Sequence, residues 1–347
     1  MVQPPGGDRD NGISGTEWMN AEGSLDALRR DIDSIDDAIQ DLIMRRTELV
    51  EQVRDLKRDS KIKIRPSREA EILYRLVKRQ RGRFPKRELV VIWRHLITAT
   101  LAFEGPFSTA VYGHKDETGY WDLARDHFAA FTPMSRHSSV RSVIEAVHRQ
   151  DATVGVLPMP RHDDTDPWWR HLVTNMPETP RIIARLPFAE PADGQGSRLD
   201  ALAICPIAIA PTGRDRSFFV IDMESRVPLN QLTAVLAERD LPPTFATLWG
   251  EEEGPAVWLY LLEVDGFVTD GDGRLGALGD TLGKPVNRIV VLGGYAKPLT
   301  AEELEPNTPE HAPETAPGPA PELIKQEEAV QENEAANEGT LAAEKRP

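Results

Sequence analysis

Residues 24–60 read SLDALRRDIDSIDDAIQDLIMRRTELVEQVRDLKRDS, and this stretch predicts one long helix with an almost unbroken apolar seam. Leu28, Ile32, Ile35, Ile39, Leu42, Leu49, Val53 and Leu56 follow one another in a heptad rhythm with one vacancy, at Arg46. A guanidinium cannot be discharged and is costly to bury alone, so Arg46 must face a carboxylate, a phosphate or a polar cavity. Lys57 follows eleven residues later, about 20° around the helix and about 16 Å along it, so both cations project from nearly the same face. A small dianion fits between two such side chains. Arg29 precedes Arg46 by seventeen residues, about 25 Å along the axis. To touch the same small ligand it must come from a second copy of the helix, antiparallel to the first. The competing reading is a coiled-coil or bundle helix whose arginines snorkel to water.

The 347 residues allow two or three domains, and an apolar fraction of 40% is ample for real cores. A formal net charge of -15 argues against a nucleic-acid binder. The value conceals an asymmetry, because basic residues concentrate in the N-terminal part while the last part is acidic. One cysteine, Cys205, excludes an internal disulfide framework. The first residues lack a basic and apolar signal segment, and no stretch is apolar enough to span a membrane, so a soluble cytoplasmic protein is expected.

Residues 1–23 are rich in Gly, Pro and Asp and are expected to be disordered. After the long helix, Arg65-Pro66 marks a boundary, because a residue before proline avoids the α region. A second helix is predicted over 67–80, with Arg68, Ile72 and Leu76 on one side and Glu69 in its first turn. A third begins near Pro85 and ends before Gly105-Pro106, with an expected buried stripe of Leu89, Trp93, Leu96 or Ile97, Thr100 and Glu104. A carboxylate at the end of that stripe either meets a cation, carries a proton, or simply reaches solvent at the helix end. The first helix is about twice as long as either partner, and pairing two chains would cover it.

The pattern Leu28-Arg29-x-x-Ile32-Asp33-x-Ile35-Asp36, then Leu42-x-x-x-Arg46 and Val53-x-x-x-Lys57, resembles the all-helical chorismate mutases. Pro66-x-Arg68-Glu69-x-x-Ile72-Leu73 and Trp93-Arg94-x-Leu96-Ile97 extend the resemblance over residues 24–105. It implies an intertwined homodimer that converts chorismate to prephenate in aromatic amino acid biosynthesis. Arg29, from the partner chain, and Arg46 would hold the two substrate carboxylates, with Arg68 a further cation. Lys57 and Glu104 would address the ether oxygen of the breaking bond, Glu69 would accept from the substrate hydroxyl, and Thr100 would line the pocket. Where relatives often carry an acidic residue before the Arg-Glu pair, this chain has Arg65-Pro66. The reaction is a unimolecular rearrangement that needs restraint and donors rather than a cofactor.

Beyond Glu104, a strand over 109–112, helices over 121–130 and 138–150, and a strand over 153–157 predict a small α/β region spanning 106–214. Val154-Gly-Val-Leu-Pro158-Met-Pro resembles part of the prephenate dehydratase module, without that module's polar run after the proline. Asp215-Arg216-Ser217-Phe218 stands near the place of its Thr-Arg-Phe motif in altered order; either Ser217 stands in by position for that motif's threonine, or Asp215 and Arg216 are turn and strand-edge residues, the favoured reading. His127, His137, His148, His162 and His171 lack ligand-type spacing, and no metal or other cofactor is expected.

Residues 215–299 show a βαββαβ order that predicts a ferredoxin-like sandwich. It resembles the small-molecule regulatory ACT domain, with Val291-Leu-Gly-Gly-Tyr295 as the final strand, and an aromatic amino acid is the effector this implies. The segments expected for phenylalanine binding are replaced by Val227-Pro228-Leu229 and Ala246-Thr-Leu-Trp249, leaving a plain dimerisation domain as an equal reading. Residues 300–347 are dominated by Pro, Glu and Ala and are expected to be disordered, with a short helix over 323–331. Two other functional readings stand beside the mutase: a bifunctional mutase and prephenate dehydratase, and a non-catalytic helical dimerisation or regulatory protein.

Overall fold

The computed structural model describes residues 15–56, 62–114, 118–174, 176, 178–190, 199–251, 257–276 and 278–305, with backbone alone for 15–23, 102 and 104. Three helices come first: α1 (Gly15–Leu56), α2 (Pro66–Arg79) and α3 (Lys86–Glu104). With 42 residues, α1 is about 63 Å long. It starts inside the segment expected to be disordered, because Glu17, Met19, Ala21 and Glu22 are good helix formers able to extend an existing helix. Residues 1–14 lie outside the described residues, as do 57–61 between α1 and α2 and the tail 306–347 with its expected helix.

Helices α2 and α3 pack on each other around Ala70, Leu73, Val77 and Val90, and Phe188, Leu299 and Leu304 complete that core. The last two come from the chain's expected disordered end or its border. Residues up to 305 are ordered there because Leu304 is buried and Glu303 holds Arg214 through two oxygens at 2.6 and 3.0 Å. On α3 the buried residues are Val90, Arg94, Ile97, Thr98, Thr100 and Leu101, so Ile97 and Thr100 of the expected stripe are buried while Val90 and Arg94 take the places expected for Leu89 and Trp93. Leu89, Trp93 and Leu96 are only half-buried, because α3 is covered from two sides, by α2 and by the α/β layer.

The rest of the chain builds one nine-stranded sheet in the order β2-β1-β3-β5-β4-β9-β6-β8-β7. Strands β1 (Thr109–Tyr112), β2 (Met134–His137) and β3 (Val154–Pro158) are parallel. Their crossovers are α4 (Gly119–Phe128) and α5 (Val140–His148), the latter capped by Ser139, which accepts from Ser142 N at 3.1 Å. Strand β5 (Ala201–Cys205) runs antiparallel to β3 and to β4 (Arg181–Leu186).

The second half is β6 (Asp215–Met223), α6 (Leu229–Ala237), β7 (Pro243–Glu251), β8 (Val257–Asp265), α7 (Leu278–Leu282) and β9 (Val286–Ala296). The order β9-β6-β8-β7, all antiparallel, is the split βαβ arrangement expected from the sequence. Strand alternation assigns its two faces. Phe219, Ile221 and Met223 of β6 face Leu232 and Leu236 of α6 and Leu278 and Leu282 of α7. Phe218 and Val220 belong to the opposite core, with Trp168, Trp169 and Val147 from the first α/β region. The Pro167-Trp168-Trp169 cluster thus carries the packing of one half against the other.

The two α/β halves meet where Ile182 of β4 pairs with Gly293 of β9. Register slips around Leu292 against β6, and Gly293 takes φ +110, a conformation that L side chains rarely adopt. A Cβ on Gly293 would collide with the backbone of Ile182. Gly293→Ala should therefore destabilise the protein by about 2 kcal/mol or more. Urea unfolding measures this, and an unchanged midpoint would show that the junction does not depend on the glycine.

Candidate active site

Arg46, Val50 and Val53 occupy one face of α1 at helical spacing, and they border a cleft of about 560 Å³. The floor comes from Ile97, Thr100 and Leu101 of α3, and one side from Arg68, Glu69 and Ile72 at the start of α2. Arg46 Nη1 donates to Thr100 Oγ1 at 3.3 Å, and that hydroxyl donates to the Ile97 carbonyl at 2.8 Å. A second arginine, Arg54, ties the end of α1 to the Phe103 carbonyl at 3.2 Å. Lys63 and Arg65 join Arg46 and Arg68 along the lining, which makes the cleft predominantly basic.

Glu69 is buried, and its Oε2 accepts from Arg94 Nη1 at 3.0 Å. Its Oε1 is buried without a hydrogen-bond partner among the described residues. Burial raises the Glu69 carboxyl above its ordinary pKa, against the opposing pull of the Arg94 charge. Burial also lowers Arg94, with Glu69 opposing. The Arg94 guanidinium lies 4.8 Å from the centre of the Phe188 ring. On α4, burial and then the Arg94 charge hold the His127 imidazole well below its ordinary pKa.

Four of the seven residues singled out in the sequence, Arg46, Arg68, Glu69 and Thr100, therefore share one cleft. Arg68 is mostly exposed and pairs with Glu71 at 3.0 Å. Arg29 is exposed, pairs with Asp26 at 3.1 Å, and does not line this cleft. Lys57 and the Glu104 side chain lie outside the described residues. Arg94 went unassigned in the sequence reading, although its signal was available: it is a cation inside the stripe Val90, Ile97 and Leu101. Among the described residues, no cluster of His, Cys, Asp or Glu is arranged to hold a metal ion, and no helix is long and apolar enough to cross a membrane.

Residues 28–105 match the family of chorismate mutases of type II. The chain therefore carries an all-helical chorismate mutase domain at its N-terminus, followed by a mixed α/β sheet region. It is 31% identical over 140 residues to the bifunctional chorismate mutase/prephenate dehydratase of Aquifex aeolicus, covering 39% of this chain and 38% of that protein. To the protein of the same description from Stutzerimonas stutzeri it is 29% identical over 147 residues, 41% of this chain and 40% of that one. The chain thus spans about two-fifths of the length of the curated relatives it matches. A solved prephenate dehydratase from Arthrobacter aurescens, in complex with L-Phe, overlaps 66% of this chain and 99% of its own at 12% identity and a TM-score of 0.41.

The buried pair gives a pH signature. The folded protein binds the Glu69 proton more tightly than the unfolded chain does. Its contribution to stability is therefore complete below pH 4.5 and declines as pH rises through the raised pKa. Glu69→Gln should flatten that limb of the stability curve, followed by urea unfolding from about pH 4 to about pH 8. Parallel curves for the two proteins would contradict the assignment.

Proposed function

We propose that this chain is a chorismate mutase that converts chorismate to prephenate in a cleft completed by a second copy of its own long helix. The observation that carries the reading is the gathering of Arg46, Arg68, Glu69 and Thr100 around one basic cleft; Arg46 and Thr100 stand 54 positions apart in the chain. The reaction breaks an ether C–O bond and forms a C–C bond within one molecule. Catalysis then consists of holding a flexible dianion in its reactive chair-like shape and offering donors where charge grows on the ether oxygen.

In this reading Arg46 and Arg29 of the second copy grip the two carboxylates, with Arg68 as a further cation. Glu69, oriented by Arg94, accepts from the substrate hydroxyl, and Thr100 lines the pocket and braces Arg46. Lys57 and Glu104 serve the ether oxygen, Glu104 in its neutral form, because an ionised carboxylate has no proton to donate. The second copy is supported by the seam on α1. Leu28, Ile32, Ile35, Ile39 and Leu42 are each at least half exposed, a long apolar stripe that α2 and α3, with 14 and 19 residues, are too short to cover.

We further read the protein as releasing prephenate in the cytoplasm rather than dehydrating it. Ser217, on β6, donates through Oγ to the Gly266 carbonyl and accepts from Val268 N, both at 2.9 Å, so its hydroxyl is engaged by the turn that follows β8. Asp215 accepts from Thr212 N at 2.8 Å, which supports its reading as a turn residue. The split βαβ sandwich is read as ACT-like, with an aromatic amino acid as the effector class it would take.

Arg46→Ala should lower kcat/KM by about a thousandfold, the cost of removing a charged anchor from a desolvated site, while the protein stays a folded dimer. In the same assay the wild type should accumulate prephenate without phenylpyruvate above the uncatalysed background. Unchanged kcat/KM in a folded Arg46→Ala protein would refute the site, and enzyme-dependent phenylpyruvate would establish the bifunctional alternative.

A further inference from the structure

The cleft has a wall that the helical domain does not supply. After β5 the chain leaves the sheet as PIAIA, residues 206–210, followed by Pro211. Ile207, Ala208, Ile209 and Ala210 line the same cleft as Arg46, Arg68, Glu69 and Thr100. The segment carries no charged or hydroxyl side chain, and Ile207 and Ile209 pack back onto the core beneath β3 and β5. The cleft therefore joins four cations, Arg46, Lys63, Arg65 and Arg68, and two carboxylates, Glu69 and Glu71, with an uncharged segment from the α/β region.

The segment is fastened beside the reactive residues. Ser67 Oγ donates to the Ala210 carbonyl at 2.6 Å and accepts from Ala210 N at 3.1 Å, so one hydroxyl satisfies both backbone groups of Ala210. Ser67 directly precedes Arg68 and Glu69 in the first turn of α2. The segment is thus held by the same helical turn that carries Arg68 and Glu69.

We propose that residues 207–210 of the α/β region form the substrate-facing apolar wall of the mutase cleft and set its affinity for a carbocyclic dicarboxylate. This rests on the mutase reading and extends it, because it gives the central α/β region a part in the first reaction. An apolar wall packs the face of an unsaturated ring and excludes water from the arginines of the same cleft, which strengthens their hold on carboxylates. A ligand with charge on one side and hydrocarbon on the other is the chemistry that such a cleft selects.

The test is steady-state turnover of chorismate by the full chain. Ser67→Ala should raise KM by about tenfold with kcat within about twofold, since the lost anchor affects binding more than the chemical step. Ser67→Thr, which keeps the hydroxyl, should restore most of the affinity. Ala210→Trp enlarges an exposed side chain at the cleft and should raise KM by more than about tenfold at unchanged melting temperature. If one variant fails to fold, the other decides. A wild type without turnover overturns the mutase reading and this inference with it. An active wild type whose KM is unchanged by both substitutions overturns this inference alone.

Discussion

Arg94 and Glu69 meet at 3.0 Å in a site from which water is almost excluded, and much of the architecture follows from keeping that pair whole. Removing either partner would leave a buried charge uncompensated, a cost of about 3–5 kcal/mol. The pair joins α3 to the first turn of α2, so it fixes the helix that presents Arg68 and Glu69 to the cleft. It also reaches into the α/β layer, because Phe188 lies against the guanidinium and His127 is close enough for its charge to matter. The helical domain is consequently welded to the sheet, and Tyr74 strengthens the joint by donating to the Lys297 carbonyl while Arg214 lies 4.4 Å from its ring centre.

That welding changes the meaning of the segments between the helices and the C-terminal strands. Read as sequence, residues 106–214 and 215–299 are two neighbouring regions. In three dimensions they are halves of one sheet, joined at Ile182 and Gly293, and their shared core holds Trp168 and Trp169 beside Phe218 and Val220. The chain end up to Leu304 returns to seal the α2 and α3 core. A helical domain built this way depends on the sheet for part of its hydrophobic interior.

What the sequence disclosed follows from the range of the forces involved. The vacancy at Arg46 stood out because helical periodicity is local, and a cation in a heptad seam breaks a regular pattern. The βαββαβ order was legible from short apolar runs such as Phe218 to Ile221 set between helical stretches. Arg94 gives the same kind of signal, but the expected stripe of α3 holds at Ile97 and Thr100 and is one position off at Leu89 and Trp93, since a helix covered on two sides has no single stripe. The clasp between Ser67 and Ala210 had no local signature, because its partners are 143 positions apart. The Ile182 and Gly293 junction was hidden for the same reason, although the Gly-Gly pair in β9 marked where backbones come close.

The proposed catalytic cleft draws on two chains, with Arg46 from one and Arg29 from the other. Co-refolding equal amounts of Arg29→Ala and Arg46→Ala proteins tests it directly. Each variant alone should be nearly inactive. In a mixed dimer, one cleft would combine the intact Arg46 of the first variant with the intact Arg29 of the second, and the other cleft would lack both. With random pairing, half of the dimers are mixed and half of their clefts are whole, so about a quarter of wild-type activity should return. Recovery of that size is the expected result; a mixed sample as inactive as its parents, with mixed dimers present, would contradict a site shared between chains.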